Sequence, residues 1–315
     1  MKTDSKILIT GSNGMVGKSL VRALRDKEFT NLLLPSSKDL DLKDQKKVEE
    51  FFQINDIEYV FHLAAKVGGI AANISAPAEF LYDNLMMECN IIEISRKFNI
   101  KKILFLGSSC IYPKECEQPM KEEYLLSGKL ELTNEGYALA KICGLKLCEY
   151  YNKQYNTKFI SLMPCNIYGP GDHFEPQKSH VISALILKFH EAKIKNLPYV
   201  TIWGTGNARR EFLYVKDIVE AIIFFFEKET DLPSFVNIGS GKDVSIIELA
   251  NLIKKIVDYQ GEIKLDPSKP DGMPQKLLDI NKARGLGWYA TTSLKKGLQK
   301  TYDWFLKNEK DIIHN

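Results

Sequence analysis

The stretch TGSNGMVGKSLVRAL, Thr10 to Leu24, follows the apolar run KILIT and decides the fold of the chain. Gly11, Gly14 and Gly17 stand in GxxGxxG spacing, where a short strand pattern changes to a helix pattern. Glycine is needed there because the backbone turns sharply, approaches a pyrophosphate and packs the helix start against the strand. The helix N-terminus then faces the phosphates. A glycine triplet alone is weak evidence, but its position after the first strand predicts a dinucleotide-binding turn.

Beyond that turn, short aliphatic runs alternate with amphipathic stretches. KILIT, NLLL, YVFHLA and ILFLG are typical of strands, and a helical pattern follows each one. This alternation predicts an α/β fold with a Rossmann-type, doubly wound parallel sheet. The Pro/Gly-rich loop YGPGDHFEP, from Tyr168, interrupts the rhythm before strand and helix patterns resume. We therefore predict a cofactor domain of residues 1–165 and 214–239, and a smaller, mixed α/β substrate-binding domain of residues 166–213 and 240–315.

Composition excludes several classes of protein. The chain has 315 residues and a formal net charge of +3, and its Lys and Arg are scattered, which argues against a nucleic-acid partner. No signal-peptide pattern precedes the first strand, and the longest apolar run, AIIFFF from Ala221, is too short to span a bilayer. The six cysteines lack the CxxC spacing of a zinc or redox site. We expect a soluble, cytoplasmic protein without metal or membrane partners, whose cysteines are mostly reduced core residues.

The residues after the second strand predict the cofactor. An acid there would accept a hydrogen bond from the ribose 2′-hydroxyl of NADH, whereas this chain has Ser36, Ser37 and Lys38, and its first acid, Asp39, lies beyond the strand end. Hydroxyl donors and a cation favour a 2′-phosphate, so NADP(H) is predicted; an ordinary polar turn is the alternative. The predicted cofactor contacts lie in the glycine turn, at the ends of the second and third strands and on a later helix: Gly11, Asn13, Gly14, Met15, Val16, Gly17, Ser36, Ser37, Lys38, Ala64, Ala65, Tyr137 and Lys141.

The segment YALAK places Tyr137 and Lys141 four residues apart, on one face of a helix. A phenol, with an ordinary pKa of about 10, is a poor acid or base near neutrality, and a nearby ammonium favours its phenolate. Tyr137 would then exchange a proton with a carbonyl or alcohol oxygen while hydride moves, and Ser108, after the fourth strand, would hydrogen-bond that oxygen. A surface Tyr/Lys pair is the simpler explanation, but the glycine turn and Ser108 occur in the same chain.

The glycine turn, the strand-end serine and the YxxxK segment together resemble the extended short-chain dehydrogenase/reductase superfamily. Nearly the whole chain is similar to one family within it, the GDP-L-fucose synthases, which are GDP-4-keto-6-deoxy-D-mannose 3,5-epimerase-4-reductases. The segments that carry the resemblance are AAKVGGI, LGSSCIYP, TNEGYALAK, YGPGDHF, KSHVISAL, WGTGNARREFLYV, SKPDGMPQKLLD and LGWY. Many members are homodimers, and helices over residues 77–99 and 135–155 would form the four-helix contact.

The resemblance implies that Cys110 and His180 form an acid/base pair. A 4-keto group acidifies the protons on C3 and C5, so epimerisation needs one group to remove a proton and another to return one to the opposite face. A thiol and an imidazole both titrate near neutrality and suit these roles. Tyr137 and Ser108 would stabilise the enolate oxygen and then serve the reduction at C4. The simpler interpretations are a buried, apolar Cys110 and a polar His180 at a helix N-terminus.

The resemblance also implies a nucleotide-sugar site with cations for the diphosphate and an aromatic wall for the guanine. Its residues would be Asn166, Val181, Lys188, Trp203, Arg210 and Lys276. The chain lacks the arginines that bind the 2′-phosphate in some members, and it departs from the family pattern in the substrate region at Gly171, His173, Ser183 and Lys188. These departures affect which sugar the site would bind and which residues would contact the 2′-phosphate of the cofactor.

Two other functions stay open at this point. Close relatives could act only as 4-reductases of a different GDP-4-keto sugar, such as a heptose, with Cys110 and His180 idle. From another class, the chain could be a non-catalytic NADPH-binding module, although such a module does not need Ser108, Tyr137 and Lys141 together. A 4,6-dehydratase would need an acid beside Ser108, where this chain has a serine and a cysteine.

Overall fold

The computed structural model describes residues 1–175, 179–229, 232–269 and 271–313. Its strands, in chain order, are β1 (Ile7–Thr10), β2 (Leu32–Leu33), β3 (Tyr59–His62), β4 (Lys102–Leu106), β5 (Phe159–Pro164), β6 (Asn166–Tyr168), β7 (Tyr199–Trp203), β8 (Arg209–Tyr214), β9 (Phe235–Ile238), β10 (Asp243–Ser245), β11 (Glu262–Asp266) and β12 (Gln275–Lys276). Its helices are α1 (Met15–Asp26), α2 (Gln45–Asn55), α3 (Ile70–Ser75), α4 (Pro77–Lys97), α5 (Glu135–Tyr155), α6 (Val181–Ile194), α7 (Val215–Glu227), α8 (Ile246–Val257), α9 (Asn281–Gly285) and α10 (Leu294–Ile313).

The main sheet is parallel and six-stranded, in the order β2-β1-β3-β4-β5-β9. Its central strands are apolar and buried along most of their length, as expected for a sheet covered on both faces. The chain runs from β1 outward to β2 and then crosses back to β3 on the other side of β1. Ligands of such sheets bind at the carboxyl ends of the strands where the order reverses. The predicted doubly wound α/β fold is therefore confirmed.

Helices cover both faces of this sheet. On one face, α4 and α5 pack against each other and against β3, β4 and β5, and on the other face α1 and α7 pack together. The amphipathic pattern of α1 buries Gly17, Leu20, Val21 and Leu24. Proline at the first turn of α4 and Arg96 and Lys97 in its last turn suit the two ends of a helix. The helices expected over residues 77–99 and 135–155 correspond to α4 and α5.

A second group of elements follows the end of β5. There β8 pairs in parallel with β6 and β12 and antiparallel with β10, while β7 and β11 form a separate parallel pair. Helix α8 packs against α6 and α10, and it begins with a capping box formed by Ser245 and Glu248. These mixed pairings match the predicted mixed α/β character of this part of the chain, while the domain boundaries stay a prediction.

The six cysteines are free thiols, as expected. Cys110, Cys148 and Cys165 lie in the core and the partly buried Cys116 packs against it, whereas Cys89 is partly exposed and Cys143 is exposed. Cys89 and Cys143 stand on α4 and α5, helices that bury only one face against the sheet. Among the described residues, no helix combines the length and the apolar character needed to cross a membrane.

A row of side chains crosses the sheet at the ends of its central strands, where Thr10 pairs with His62 and His62 pairs with Phe105. His62 is fully buried, its Nδ1 lies 2.8 Å from Oγ1 of Thr10, and its ring stacks on Phe105 with the ring centroids 5.9 Å apart. Burial, together with the positive charge of Lys141, lowers the pKa of His62 from 6.5 to about 3. The imidazole is therefore neutral in the native protein throughout the physiological range.

The state of His62 predicts how stability depends on pH. Between pH 6.5 and about 3 the unfolded chain binds a proton at this residue and the native state does not, so the free energy of unfolding should fall as the pH falls. One such residue contributes a slope of up to about 1.4 kcal/mol per pH unit. Urea unfolding of His62→Leu should show a shallower pH dependence than the wild type. Equal slopes for His62→Leu and wild type would contradict this assignment.

Candidate active site

The predicted glycine turn lies at the carboxyl end of β1. Gly11 has a φ of +73°, and a Cβ there would stand 2.7 Å from the backbone nitrogen of Ala64. A Cβ at Gly17 would stand 2.2 Å from the carbonyl oxygen of Gly11, so only glycine lets α1 begin this close to the strand. Gly14 is the N-cap of α1, where no side chain caps the helix and no acid occupies the first turn. The backbone N–H groups of the first turn of α1 are therefore available to an anion.

The turn fits a dinucleotide by its shape and by one unsatisfied group. Oγ of Ser12, inside the turn, is buried without a hydrogen-bond partner in the structure. The later loop at Gly171 closes over the turn, since a Cβ there would stand 3.8 Å from Cα of Met15. Within the described residues, no group of three or more His, Cys, Asp or Glu side chains is arranged to hold a metal ion. The donors present are those that a pyrophosphate requires.

The turn after β2 holds Asp39 beyond the strand end, as expected, and pairs it with Ser36. Ser36 donates hydrogen bonds from its backbone N–H and its hydroxyl to Oδ2 of Asp39, at 2.9 and 2.6 Å. These bonds hold the pKa of Asp39 below its ordinary value. The acid expected to lie beyond the strand end is therefore folded back onto Ser36, whereas Lys38 is exposed beside it.

Three cations near this turn were missed by the sequence analysis. A cavity of about 380 Å³ lies between α1 and the end of β2, and it extends from Ser12 and Asn13 along the helix. Its lining includes Lys18, Arg22 and Arg25, which are exposed. Their spacing of four and three residues places them on one face of α1, and this pattern in the sequence could have indicated a basic groove. Cations in this groove suit the 2′-phosphate of the predicted cofactor.

The segment LGSSCIYP continues from β4 into one short helical turn, Ser109–Ile111. The Cys110 backbone N–H donates to Oγ of Ser108 at 3.3 Å, so the turn holds the hydroxyl and the thiol side by side. Cys110 is buried, and burial raises the pKa of its thiol, while the positive charges of Lys276 and Lys141 oppose that rise. The resting group is a thiol with two cations near it.

Tyr137 and Lys141 share one face of α5, as predicted, and this face is turned toward the end of β4. Nζ of Lys141 donates to the carbonyl oxygen of Leu106 at 3.0 Å and lies 5.8 Å from the centre of the Tyr137 ring. The expected shift toward phenolate is absent, because burial, with smaller effects of Cys110 and Glu88, raises the pKa of Tyr137 well above its ordinary value. At rest the phenol holds its proton.

His180 lies at the start of α6, where it is the N-cap residue with an exposed side chain. The backbone before it approaches the loop after β3, since a Cβ at Gly69 would stand 3.9 Å from the carbonyl oxygen of Ser179. Among the hydrogen bonds and ion pairs of the described residues, none joins His180 to Cys110. The structure thus groups Ser108, Cys110, Tyr137 and Lys141 at the end of β4, and it places His180 at the start of α6. Pro176, at the end of the predicted loop YGPGDHFEP, lies outside the described residues.

The predicted nucleotide-sugar residues form two groups. In the first, Arg210 on β8 stands opposite Lys276 on β12, and Nη1 of Arg210 donates to the carbonyl oxygen of Met273 at 2.6 Å. Asn166, on the neighbouring β6, donates from Nδ2 to the carbonyl oxygen of Glu211 at 3.1 Å.

In the second group, Nζ of Lys188 lies 5.8 Å from the ring centre of Trp203, which is 62% exposed. Lys188 lies on α6, and Val181 is the first residue of that helix. The exposed ring and its cation suit a stacked, electron-rich base at the edge of the site.

Glu211, beside Arg210, is a buried carboxylate that the sequence analysis missed. It accepts hydrogen bonds from the backbone N–H groups of Gly241 and Leu278, at 2.6 and 2.9 Å. Burial raises the pKa of Glu211 to about 7. Because these bonds tie β8 to the two loops beside it, Glu211 fixes the strand that carries Arg210.

Comparison with known proteins identifies the family of the chain. The model of the NAD dependent epimerase/dehydratase family matches residues 7–239. The chain belongs to this family. Within it, the chain is 48% identical over 312 residues to the GDP-L-fucose synthase of Escherichia coli (strain K12), a match that covers 96% of this chain and 97% of that relative.

Solved structures of the family are also similar. A GDP-6-OMe-4-keto-L-xylo-heptose reductase from C. jejuni is 37% identical with a TM-score of 0.92, covering 98% of this chain and 99% of that one. A GDP-mannoheptose C4 reductase from Campylobacter jejuni, with NADP bound, is 38% identical with a TM-score of 0.88, covering 97% and 99%. The fold is thus that of solved family members whose names specify GDP-sugars.

The glycine turn predicts the effect of a single methyl group. Gly17→Ala should raise the Kd for NADPH at least about tenfold, because its Cβ would press α1 away from the turn. Fluorescence titration with NADPH measures this Kd. Gly285→Ala is the matched control, since a Cβ there would meet nothing within 4 Å, and it should bind like the wild type. Normal binding by Gly17→Ala would show that the close approach is not required.

Proposed function

We propose that this enzyme converts GDP-4-keto-6-deoxy-D-mannose to GDP-L-fucose, by epimerising C3 and C5 and then reducing C4 with NADPH. The observation that carries the proposal is the grouping of a thiol, Cys110, with the reductase residues Ser108, Tyr137 and Lys141 at the end of β4. A reductase alone needs only the last three. The 48% identity to the GDP-L-fucose synthase of Escherichia coli supports the same reaction.

NADP(H) is the cofactor in this proposal, and it supplies the hydride for C4 when bound. The Gly11, Gly14 and Gly17 turn would hold its pyrophosphate, as the shape of the turn indicates. Ser36, Ser37 and Lys38, with Asn13 and the α1 cations, would surround the 2′-phosphate, and Ala64 and Ala65 would leave room along the strand ends. A solved relative of this family binds NADP.

Epimerisation uses the thiolate of Cys110 as the base. Removal of the C3 or C5 proton produces an enolate at the C4 oxygen, which Ser108 and Tyr137 stabilise with hydrogen bonds. The raised pKa of Cys110 leaves a small thiolate fraction at neutrality, and the ammonium of Lys276 favours that fraction. His180, at the start of α6, returns a proton to the opposite face of the sugar.

Reduction uses Tyr137 as the acid. As hydride reaches C4, its oxygen gains negative charge and takes the phenol proton. The raised pKa of Tyr137 keeps that proton available at rest, and the charge of Lys141 stabilises the phenolate that forms. Ser108 stays hydrogen-bonded to the same oxygen throughout both half-reactions.

The proposal also includes the substrate lobe, the assembly and the location. Residues 166–213 and 240–315 would bind the GDP-sugar, with Arg210 and Lys276 at the diphosphate and Trp203 and Lys188 near the guanine. Residues 1–165 and 214–239 would bind the cofactor. The enzyme would be cytoplasmic and homodimeric through α4 and α5, which carry several exposed apolar or aromatic side chains. These include Tyr82, Leu139 and Tyr150.

Reduction of a GDP-4-keto-heptose is the second candidate. The similarity to two heptose reductases, at 37% and 38% identity, favours it. The higher identity to a GDP-L-fucose synthase and the presence of both Cys110 and His180 favour the epimerising reaction. Substrate competition between the two GDP-sugars separates these functions.

Tyr137→Phe tests the acid of the reduction. Loss of the phenol proton should lower the rate of NADPH oxidation with the GDP-4-keto sugar about a hundredfold or more. Absorbance at the nicotinamide band follows this rate. Tyr150→Phe, on the same helix with a 55% exposed side chain, should keep the wild-type rate. A Tyr137→Phe enzyme that reduces normally would remove Tyr137 from the mechanism.

Cys110→Ser tests the base and separates the two half-reactions. A serine hydroxyl is a far weaker acid than a thiol, so exchange of the C3 and C5 protons with deuterated solvent should nearly cease. Slow NADPH oxidation should continue and release an unepimerised GDP-6-deoxyhexose. Mass spectrometry of the sugar measures both, and Cys143→Ser, an exposed thiol on α5, is the control. Normal exchange and normal GDP-L-fucose formation would mean that Cys110 is only a packed core residue.

A further inference from the structure

A second buried charge lies beside the site, on α4. Oε1 of Glu88 is 3.1 Å from Nζ of Lys141, and each of the two side chains is only 1% exposed. Of the ion pairs formed within the described residues, this is the one that Lys141 makes. The sequence analysis did not find it, because the two residues are far apart in the chain and stand on different helices.

The neighbouring helix is shaped to receive this carboxylate. A Cβ at Gly144 would stand 2.6 Å from Oε2 of Glu88 and 2.7 Å from the ring of Phe105. Any larger residue would push the carboxylate away from Lys141. Helix α5 therefore carries both the cation and, three residues later, the space that its counter-charge occupies.

The contacts of Lys141 define the direction of its ammonium group. Nζ donates to the carbonyl oxygen of Leu106 at 3.0 Å and pairs with Glu88, and it lies 4.8 Å from the ring centre of Phe105. An ammonium has three N–H bonds, and the carbonyl oxygen of Leu106 accepts one of them. The ring centre of Tyr137 lies 5.8 Å from the same Nζ.

We propose that Glu88 is a positioning residue for the reaction, which holds the ammonium of Lys141 in place below Tyr137 and balances its charge inside the core. The inference rests on the proposed function for its catalytic consequence. A buried ammonium without a counter-charge is strongly destabilising, and loss of either partner leaves the other unpaired. Burial raises the pKa of Glu88, and the nearby charge of Lys141 opposes that rise.

A purely structural role would give a different result. The pair joins α4 to α5, so it could act only as a link between two packed helices. In that case loss of Glu88 would lower stability but leave the folded enzyme fully active. A positioning role requires that the folded variant lose turnover more than it loses cofactor binding.

The first test compares Glu88→Gln, which keeps the shape and removes the charge, with Glu93→Gln. Glu93 is also on α4, but it pairs with Arg96 at 2.6 Å and is partly exposed. With GDP-4-keto-6-deoxy-D-mannose and NADPH, kcat of Glu88→Gln should fall at least about tenfold, while its Kd for NADPH changes less than about threefold. Glu93→Gln should match the wild type in both. Glu88→Asp keeps the charge but places it one methylene further from Lys141, so its kcat should be intermediate. It replaces Glu88→Gln in this test if Glu88→Gln does not fold.

The second test is a double-mutant cycle with Lys141→Met, read by thermal unfolding. In the wild-type background Glu88→Gln should lower the Tm by about 5 °C or more, because Lys141 loses its partner. In the Lys141→Met background the same change should raise the Tm, because it neutralises a buried carboxylate that has lost its cation. It should also cause no further loss of kcat there.

Two results would overturn the proposal. The first is a folded Glu88→Gln enzyme with wild-type kcat, which would leave the pair a structural link only. The second is a lower Tm on adding Glu88→Gln to Lys141→Met, which would mean that the carboxylate acts on another group. If the wild-type enzyme oxidises no NADPH with this substrate, the proposed function fails, and the thermal cycle still decides whether Glu88 holds Lys141.

Discussion

The buried ammonium of Lys141 is the constraint on which the site depends. A cation in the core must be paired and hydrogen-bonded, and here the carbonyl group of Leu106 and the carboxylate of Glu88 meet that need. These two contacts tie α5 to the end of β4 and to α4. Because Tyr137 lies one turn before Lys141, the same contacts bring the phenol to the strand end that carries Ser108 and Cys110.

The two groups that we propose to transfer protons, Tyr137 and Cys110, start in the same state but have different surroundings. Burial raises the pKa of both Tyr137 and Cys110, so each holds its proton at rest. Cations oppose the rise at Cys110, whereas the charges that affect Tyr137 are negative and add to it. In the proposed mechanism the thiol acts as the base and the phenol as the acid.

The sequence predicts the features that depend on neighbouring residues and on strand order. The glycine turn, the strand and helix alternation and the shared face of Tyr137 and Lys141 follow from local spacing, and the parallel sheet brings their strand ends together. It does not predict the Glu88 pair, because that contact depends on how α4 packs against α5. Nor does it predict that Asp39 folds back onto Ser36, since the choice of hydrogen-bond partner within a short turn is set by its geometry.

The most direct test of the account is the isotopic pattern of the product. The wild-type enzyme would be incubated with GDP-4-keto-6-deoxy-D-mannose and NADPH in deuterated water, and the sugar would be analysed by NMR. The account predicts GDP-L-fucose with deuterium at C3 and C5 and with protium at C4, because solvent supplies the first two positions and the cofactor supplies the third. An unepimerised GDP-6-deoxyhexose without deuterium at C3 and C5 would contradict the account, since it would show a reductase in which Cys110 and His180 are idle.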